Sequence, residues 1–229
     1  MNFVLAWFLI LLIIILEVAI TGFLAEKFKV RQIITRKLNH IFIGPTYILL
    51  WKLYPQDIDI KWKILISSIP FIFSIYYALI GLGIAKNEKL VQTISRKGDP
   101  KEFLYGPFYY GIIHTLLAIF FFQKRAAVFA VCALCFGDGS AELFGRLFGN
   151  KKLFWSPKKS YAGSFAMVVT TFLTSILILF LYDFSVTFLD LFKIVLVSIA
   201  CSFVESLPYD NIDNISITST AIIFATILF

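Results

Sequence analysis

Asp138 and Glu142 stand four residues apart in the run Gly137-Asp138-Gly139-Ser140-Ala141-Glu142. Five cations follow, Arg146, Lys151, Lys152, Lys158 and Lys159, with no acid among them. Carboxylate oxygens suit a hard divalent ion, and Mg²⁺ is held by one or two carboxylates together with phosphate oxygens. Ammonium and guanidinium groups beside such an ion share the charge of a polyphosphate. If the segment continues as a helix from the apolar run Ala126–Phe136, Asp138, Glu142, Gly145 and Gly149 fall on one face at i, i+4, i+7 and i+11. Leu143, Phe144, Leu147 and Phe148 take the other face. One side then offers metal-binding oxygens followed by bare backbone, and the other grips lipid or protein. The glycines alone fit a small-xxx-small packing seam equally well, and the lysines alone fit a basic collar at a membrane surface. Acids, glycines and lysines together favour phosphate.

The elements that must position these groups are membrane helices. The 229 residues are 59% hydrophobic and 15% charged, with a mean hydropathy of +0.86, which excludes an ordinary soluble domain. An acid at mid-bilayer costs about 2.5–3.5 kcal/mol on insertion scales, so a pair on one face implies a bound cation or a place near the aqueous edge. Apolar runs predict eight spans, about 3–24, 38–54, 63–84, 107–122, 126–144, 163–182, 187–204 and 212–229. The expectation is an all-α polytopic membrane protein, a bundle of about eight transmembrane helices forming a single domain over residues 1–229. Loops one, three and five carry 15 of the 21 lysines and arginines. By the positive-inside rule the odd-numbered loops are cytoplasmic and both termini lie outside. The opening Met1-Asn2-Phe3-Val4 lacks the basic region of a signal peptide, so the first span is expected to remain as an anchor. The net charge of +7 is a matter of topology in this reading, with a lipid bilayer and not a nucleic acid as the partner. Cys132, Cys135 and Cys201 lack a second ligand pair and read as buried thiols. Glu17 and His114, each inside a span, read as interhelical hydrogen-bonding groups, with an intramembrane site as the alternative.

Every unusual polar stretch falls on the expected cytoplasmic side. Loop one ends in Arg36-Lys37-Leu38-Asn39-His40, where Arg36 and His40 share a helix face at i, i+4. These residues suit a substrate or phosphate contact, or a basic interfacial collar. Loop three carries Ser95-Arg96-Lys97-Gly98-Asp99-Pro100-Lys101-Glu102, a shaped turn in which Arg96 reaches toward phosphate and Asp99 and Glu102 either fix the loop or join a metal site. Loop seven inverts the charge logic: Glu205, Asp210 and Asp213 stand there without a base, and Pro208 ends the preceding helix. Glu205, Asp213 and Asn214 supply oxygens suited to Mg²⁺. The alternative is an acidic loop capping the last helix.

The chain resembles the CTP-dependent polyprenol kinases, a family that includes phytol, farnesol and dolichol kinases and lies close to the lipid cytidylyltransferases. The resemblance is carried by Gly137-Asp138-Gly139-Ser140-Ala141-Glu142 with Gly145, Gly149 and Lys151, and by Lys159-Ser160-Tyr161-Ala162-Gly163-Ser164. Arg36-Lys37-x-x-His40, Ser95-Arg96-x-Gly98-Asp99-Pro100-x-Glu102 and Glu205-Ser206-x-Pro208 are similar to further segments of that family. Ala162 stands where dolichol kinases carry a glutamate, which places the likeness in the phytol and farnesol kinase branch. The resemblance implies a membrane kinase that passes the γ-phosphoryl group of CTP, a nucleoside triphosphate, to a long-chain isoprenoid alcohol. Asp138, Glu142, Asp213 and Asn214 would hold Mg²⁺, with Glu205 or Asp213 as the base if one is used. Gly145, Arg146, Gly149, Lys151, Lys152, Lys158, Lys159, Ser160, Gly163 and Ser164 would bind the nucleotide. Arg36, Lys37, His40, Arg96, Asp99 and Glu102 would contact substrate or phosphate. Two alternatives stand beside this: a cytidylyltransferase acting on a lipid phosphate, and a transporter whose polar residues line a pathway.

Overall fold

The computed structural model describes residues 2–28, 30, 32–95, 97–208 and 212–229, which leaves Arg96 and Asp210 outside the described residues. The chain divides into two compact units, Met1–Phe122 and Gln123–Phe229.

In the N-terminal unit the helices are α1 (Phe3–Phe28), α2 (Gln32–Leu50), α3 (Ile60–Gly81), the short α4 (Glu88–Ile94) and α5 (Gly106–Phe120). Polar side chains tie them together at depth, as expected where no water competes. The Trp7 indole N–H donates to the Leu65 carbonyl at 2.8 Å, joining α1 to α3. The Tyr47 hydroxyl donates to the Ile66 carbonyl at 2.9 Å, joining α2 to α3. Thr21 donates to Asn39 at 2.9 Å between α1 and α2. Helices α3 and α5 touch at Gly111, where an added Cβ would lie 2.9 Å from the Pro70 carbonyl oxygen.

The C-terminal unit is built around one long rod. It consists of α6 (Arg125–Val131), a π-helical turn (Cys132–Gly137) and α7 (Asp138–Phe148). Every residue from Ala126 to Cys135 is buried, and Ala126, Ala127, Ala130 and Ala133 keep the rod thin enough for neighbours to close in. A two-stranded antiparallel hairpin follows, β1 (Lys152–Leu153) and β2 (Ser156–Ser160). Then come α8 (Tyr161–Leu181), α9 (Phe188–Glu205) and α10 (Asp213–Leu228).

All eight expected spans are helices. Five of the long helical stretches have the length and apolarity to cross a membrane, over Phe3–Phe28, Ile60–Gly81, Pro100–Phe120, Arg125–Phe148 and Tyr161–Leu181. Their outer faces are hydrocarbon: on α8 Phe165, Val169, Leu173, Leu177 and Phe180 are all exposed at helical spacing. That pattern belongs in lipid, and the protein is a membrane protein. Several boundaries shift by a few residues, and two of the shifts bear on expected site residues. Helix α2 begins at Gln32, so Arg36 and Lys37 lie within the helix that carries His40 and not in the preceding loop. The rod runs to Phe148, one turn beyond the expected end at 144. The three cysteines are buried and none forms a disulfide among the described residues.

Candidate active site

Asp138 is the first residue of α7 and comes directly after the π turn. An i→i+5 turn re-aims the side chains beyond it, and such turns are frequent at functional positions. Helix α8 braces this one. The Thr170 hydroxyl lies 2.8 Å from the Ala166 carbonyl oxygen, 3.4 Å from that of Phe136 and 2.7 Å from the Ser140 hydroxyl. At Gly137 an added Cβ would meet the Thr171 hydroxyl oxygen at 2.5 Å, so only glycine lets α8 sit this close.

The charged centre forms where β2 meets the ends of α9 and α10. The Lys159 ammonium is paired with the Glu205 carboxylate and lies 3.8 Å from Asp213 Oδ2. Asp138 is near enough for its charge to act on both Lys159 and Glu205. The Glu205 side chain is 5% exposed and that of Lys159 is 25% exposed. Burial alone would favour loss of the Lys159 proton. The carboxylates of Glu205, Asp213 and Asp138 outweigh it and hold the ammonium above its ordinary range. Burial pushes the Glu205 carboxyl up; Lys159 pulls it back, and Asp138 and Asp213 push it further up.

The other residues expected at the site divide by role. Glu142, a half-buried carboxylate, accepts a hydrogen bond from the exposed Arg146 at 2.9 Å across one helical turn. An added Cβ on Gly163 would lie 2.7 Å from the Ala141 carbonyl oxygen and 3.4 Å from Gly145 Cα, so the structure uses Gly145 and Gly163 to pack α7 on α8. Ser160 caps α8 by accepting from the Gly163 N–H at 3.2 Å, and its hydroxyl also abuts Gly149. The Ser164 carbonyl accepts from the Ser202 hydroxyl at 2.9 Å, tying α8 to α9. Lys151, Lys152 and Lys158 are exposed around the hairpin, and Lys151 lies over the Tyr161 ring. Asn214 comes after Asp213 in the first turn of α10.

In the N-terminal unit Arg36, Lys37 and His40 occupy the early turns of α2, which packs on α4 through a Thr35 hydroxyl bond to the Thr93 carbonyl at 3.1 Å. Asp99 and Glu102 both accept hydrogen bonds from backbone N–H groups within their own loop. Asp99 accepts from the Lys101 N–H at 2.9 Å, and Glu102 accepts from the Lys97 N–H at 3.1 Å. Gly98 has a φ of +77°, which suits glycine.

The hairpin is not legible in the sequence. It delivers Lys159 and is anchored by the Trp155 indole, which donates to the Ser206 hydroxyl at 2.9 Å. A tryptophan beside a Pro-Lys-Lys run is the available signal. Thr170 also escapes a reading of the sequence, since a threonine inside an apolar helix has no pattern to mark it.

Among the described residues no three His, Cys, Asp or Glu side chains converge tightly enough to cage a metal by themselves. The donor chemistry still fits Mg²⁺, which needs only one or two protein carboxylates and completes its shell with water and phosphate oxygens. Asp138 and Asp213 are carboxylates of that kind, and in this structure the Lys159 ammonium partly offsets their charge.

A sequence model of the cytidylyltransferase family matches residues 1–207, all of the described site except the start of α10. The chain is 36% identical over 214 residues to a probable phytol kinase 2, chloroplastic, of Oryza sativa subsp. japonica, covering 90% of this chain and 69% of that protein. It is 34% identical over 206 residues to a farnesol kinase, chloroplastic, of Arabidopsis thaliana, covering 86% of this chain and 66% of the relative. A probable phytol kinase 3, chloroplastic, of Glycine max is 37% identical over 206 residues, covering 86% and 63%. The chain thus spans about two thirds of the length of these relatives. No solved structure matches it.

Proposed function

The chain belongs to the cytidylyltransferase family, among relatives named as phytol and farnesol kinases. On that premise we propose that it is a membrane kinase that transfers the γ-phosphoryl group of CTP to a long-chain isoprenoid alcohol. The observation that carries this reading is the cluster of Asp138, Glu205 and Asp213 around Lys159, on a hairpin that also carries exposed lysines. Phosphoryl transfer asks little covalent chemistry of a protein and much positioning and charge neutralisation.

In this mechanism Asp138, Asp213, Asn214 and Glu142 would hold Mg²⁺. The ion's chemistry is to draw charge off the β and γ phosphates. Lys151, Lys152, Lys158 and Lys159 neutralise the remainder, helped by the positive N-terminal ends of α8 and α10. Asp213, whose side chain is 32% exposed, is the acid open to the substrate hydroxyl and accepts its proton. Glu205 positions Lys159. Arg36, Lys37 and His40 are assigned to anionic groups of the substrates. The substrates place the reaction at the inner membrane surface, where a water-soluble nucleotide meets an alcohol anchored by its chain.

The family's description favours one second reading, a cytidylyltransferase acting on a lipid phosphate. Products separate the two: CDP with an isoprenyl monophosphate for the kinase, pyrophosphate with a CDP-lipid for the other. The decisive assay supplies the purified protein with Mg²⁺, labelled CTP or ATP, and phytol, farnesol or geranylgeraniol. Asp138→Asn is expected to lower kcat by at least about a hundredfold while the protein stays folded. Undiminished activity of that variant removes the role given to the carboxylate.

A further inference from the structure

Leu153 pairs with Ser156 in the hairpin, which leaves Phe154 and Trp155 as its two-residue loop. Such loops favour glycine, asparagine and aspartate, whose backbones and short side chains suit the turn. Two large aromatics break that preference, and they point in different directions. Trp155 turns inward, fixed by its bond to Ser206. Its ring centroid lies 6.5 Å from that of Tyr161 and 6.3 Å from that of Phe203. Phe154 turns outward. Its ring meets Trp155 edge-on at 4.5 Å, and the residue is 86% exposed, more than any other large hydrophobic among the described residues.

The neighbours of the tip decide what covers that ring. Tyr161 opens α8 and Phe203 stands two residues before the end of α9, so the tip lies level with the ends of both helices. Phe203 is exposed, and so is Phe165, one turn into α8. They begin the hydrocarbon face that continues along α8 through Val169 and Leu173. The tip is therefore continuous with the surface that lipid covers, at the level where Trp and Tyr settle in a bilayer. Charge then selects the lipid. Lys151, Lys152 and Lys158 are exposed around the hairpin, and the sequence has no acid between Glu142 and Asp183. Lysine stems lie along apolar surface and lift the ammonium to headgroup level, as Lys151 does over the Tyr161 ring at 5.5 Å. Zwitterionic headgroups offer such a cluster no net charge, and anionic headgroups do. We infer that the hairpin tip docks on an anionic lipid leaflet, with Phe154 entering the acyl region and Lys151, Lys152 and Lys158 meeting headgroup phosphates. Docking of this kind needs no nucleotide and stands apart from any phosphoryl transfer.

The test uses the full chain without nucleotide, in nanodiscs of phosphatidylcholine alone and of equal parts phosphatidylcholine and phosphatidylglycerol. A para-fluorophenylalanine replaces Phe154, or Phe165 as the lipid-facing reference. Relaxation of the fluorine by dissolved oxygen, which gathers in lipid, is compared with relaxation by a water-soluble nickel chelate. In the anionic discs the fluorine at Phe154 is expected to respond mainly to oxygen, as at Phe165, and in phosphatidylcholine to respond more to nickel. Lys152→Gln is expected to lower the ratio of inserted to withdrawn tip about fivefold in the anionic discs, the worth of one lysine at a charged surface, and to leave phosphatidylcholine unchanged. A fluorine at Phe154 that responds mainly to nickel in both lipids overturns the inference and leaves the ring to water or to a partner protein. Equal insertion in both lipids also overturns it, since the lysines then contribute nothing. Lys152 is exposed, and if its variant still fails to fold, the comparison of the two lipids decides alone. Because nucleotide is absent throughout, failure here leaves the kinase reading standing, and failure of the kinase assay leaves this one standing.

Discussion

Removing the Lys159 ammonium should destabilise the C-terminal unit in a way that Glu205→Gln repairs. Glu205 is almost wholly buried, and its strongest compensation is Lys159. Breaking a buried pair by deleting one partner costs about 3–5 kcal/mol, because the other charge is left stranded. The partial exposure of Lys159 places Lys159→Met near the lower end, at about 3 kcal/mol. For a chain of this size that is a fall in Tm of roughly 6–12 °C. The double variant Lys159→Met with Glu205→Gln removes the stranded charge and should recover to within about 1 kcal/mol of the wild type. The deficit should also depend on pH. Without Lys159, the Glu205 carboxyl keeps the upward push of burial and of Asp138 and Asp213. A folded-state pKa above the unfolded one contributes stability that is complete below the unfolded pKa and is lost as pH rises through the folded one. Lys159→Met should therefore lie closer to the wild type at about pH 5 than at about pH 8. Thermal unfolding of the wild type, both single variants and the double variant in one detergent, at both pH values, measures each quantity. A single variant Lys159→Met as stable as the double at the higher pH would refute the claim that this pair is a coupled buried element.

Two further outcomes rest on packing. Gly163→Ala puts a Cβ 2.7 Å from the Ala141 carbonyl oxygen, so α7 and α8 must part; the overpacking cost is about 1–3 kcal/mol, partly offset by alanine's better helix propensity. Its Tm should fall and its kcat should fall more than its KM rises, and a variant with unchanged kcat would show that the seam does not hold the site. Asp190→Ala removes the capping box that Asp190 forms with Thr187 at the start of α9, and contacts to Arg125 at 3.8 Å and Lys193 at 3.7 Å. The expected loss is about 1–2 kcal/mol, with kcat unchanged because Asp190 and Glu205 lie at opposite ends of α9, about 22 Å apart at the helical rise. A catalytic defect at full stability would refute that separation.

How far the fold can be read from the sequence depends on the range of the forces involved. Hydrophobic runs locate helices because the bilayer imposes one length scale, and all eight expected spans are helices. The face shared by Asp138 and Glu142 is likewise a local property of α7, and it survives the π turn because the turn ends before Asp138. The partner of Lys159 is not legible. Glu205 is 46 residues away, and only the hairpin and the docking of α9 on α8 bring them together. The glycine pattern carries two meanings, packing seam or open approach, and the choice at Gly145 and Gly163 depends on where α8 lies. The start of α2 reads as loop because Arg36 and Lys37 lower its hydropathy, although polar residues at a membrane edge are no obstacle to a helix.

The charges of the C-terminal unit are ordered by depth, and the order suits the proposed reaction. Asp138, Glu205 and Asp213 form an acidic layer that Lys159 only partly neutralises. Lys151, Lys152 and Lys158 are exposed just beyond the rod's last turn and along the hairpin. An anion alone would be drawn to the outer cations and repelled by the inner acids. A divalent cation alone would meet the reverse. Under the proposed function, a metal–triphosphate complex would present its cation to the acids and its outer oxygens to the lysines, so one ligand in one orientation would satisfy both. That orientation would turn the terminal phosphate inward, toward a membrane-anchored hydroxyl, and leave the nucleoside toward water.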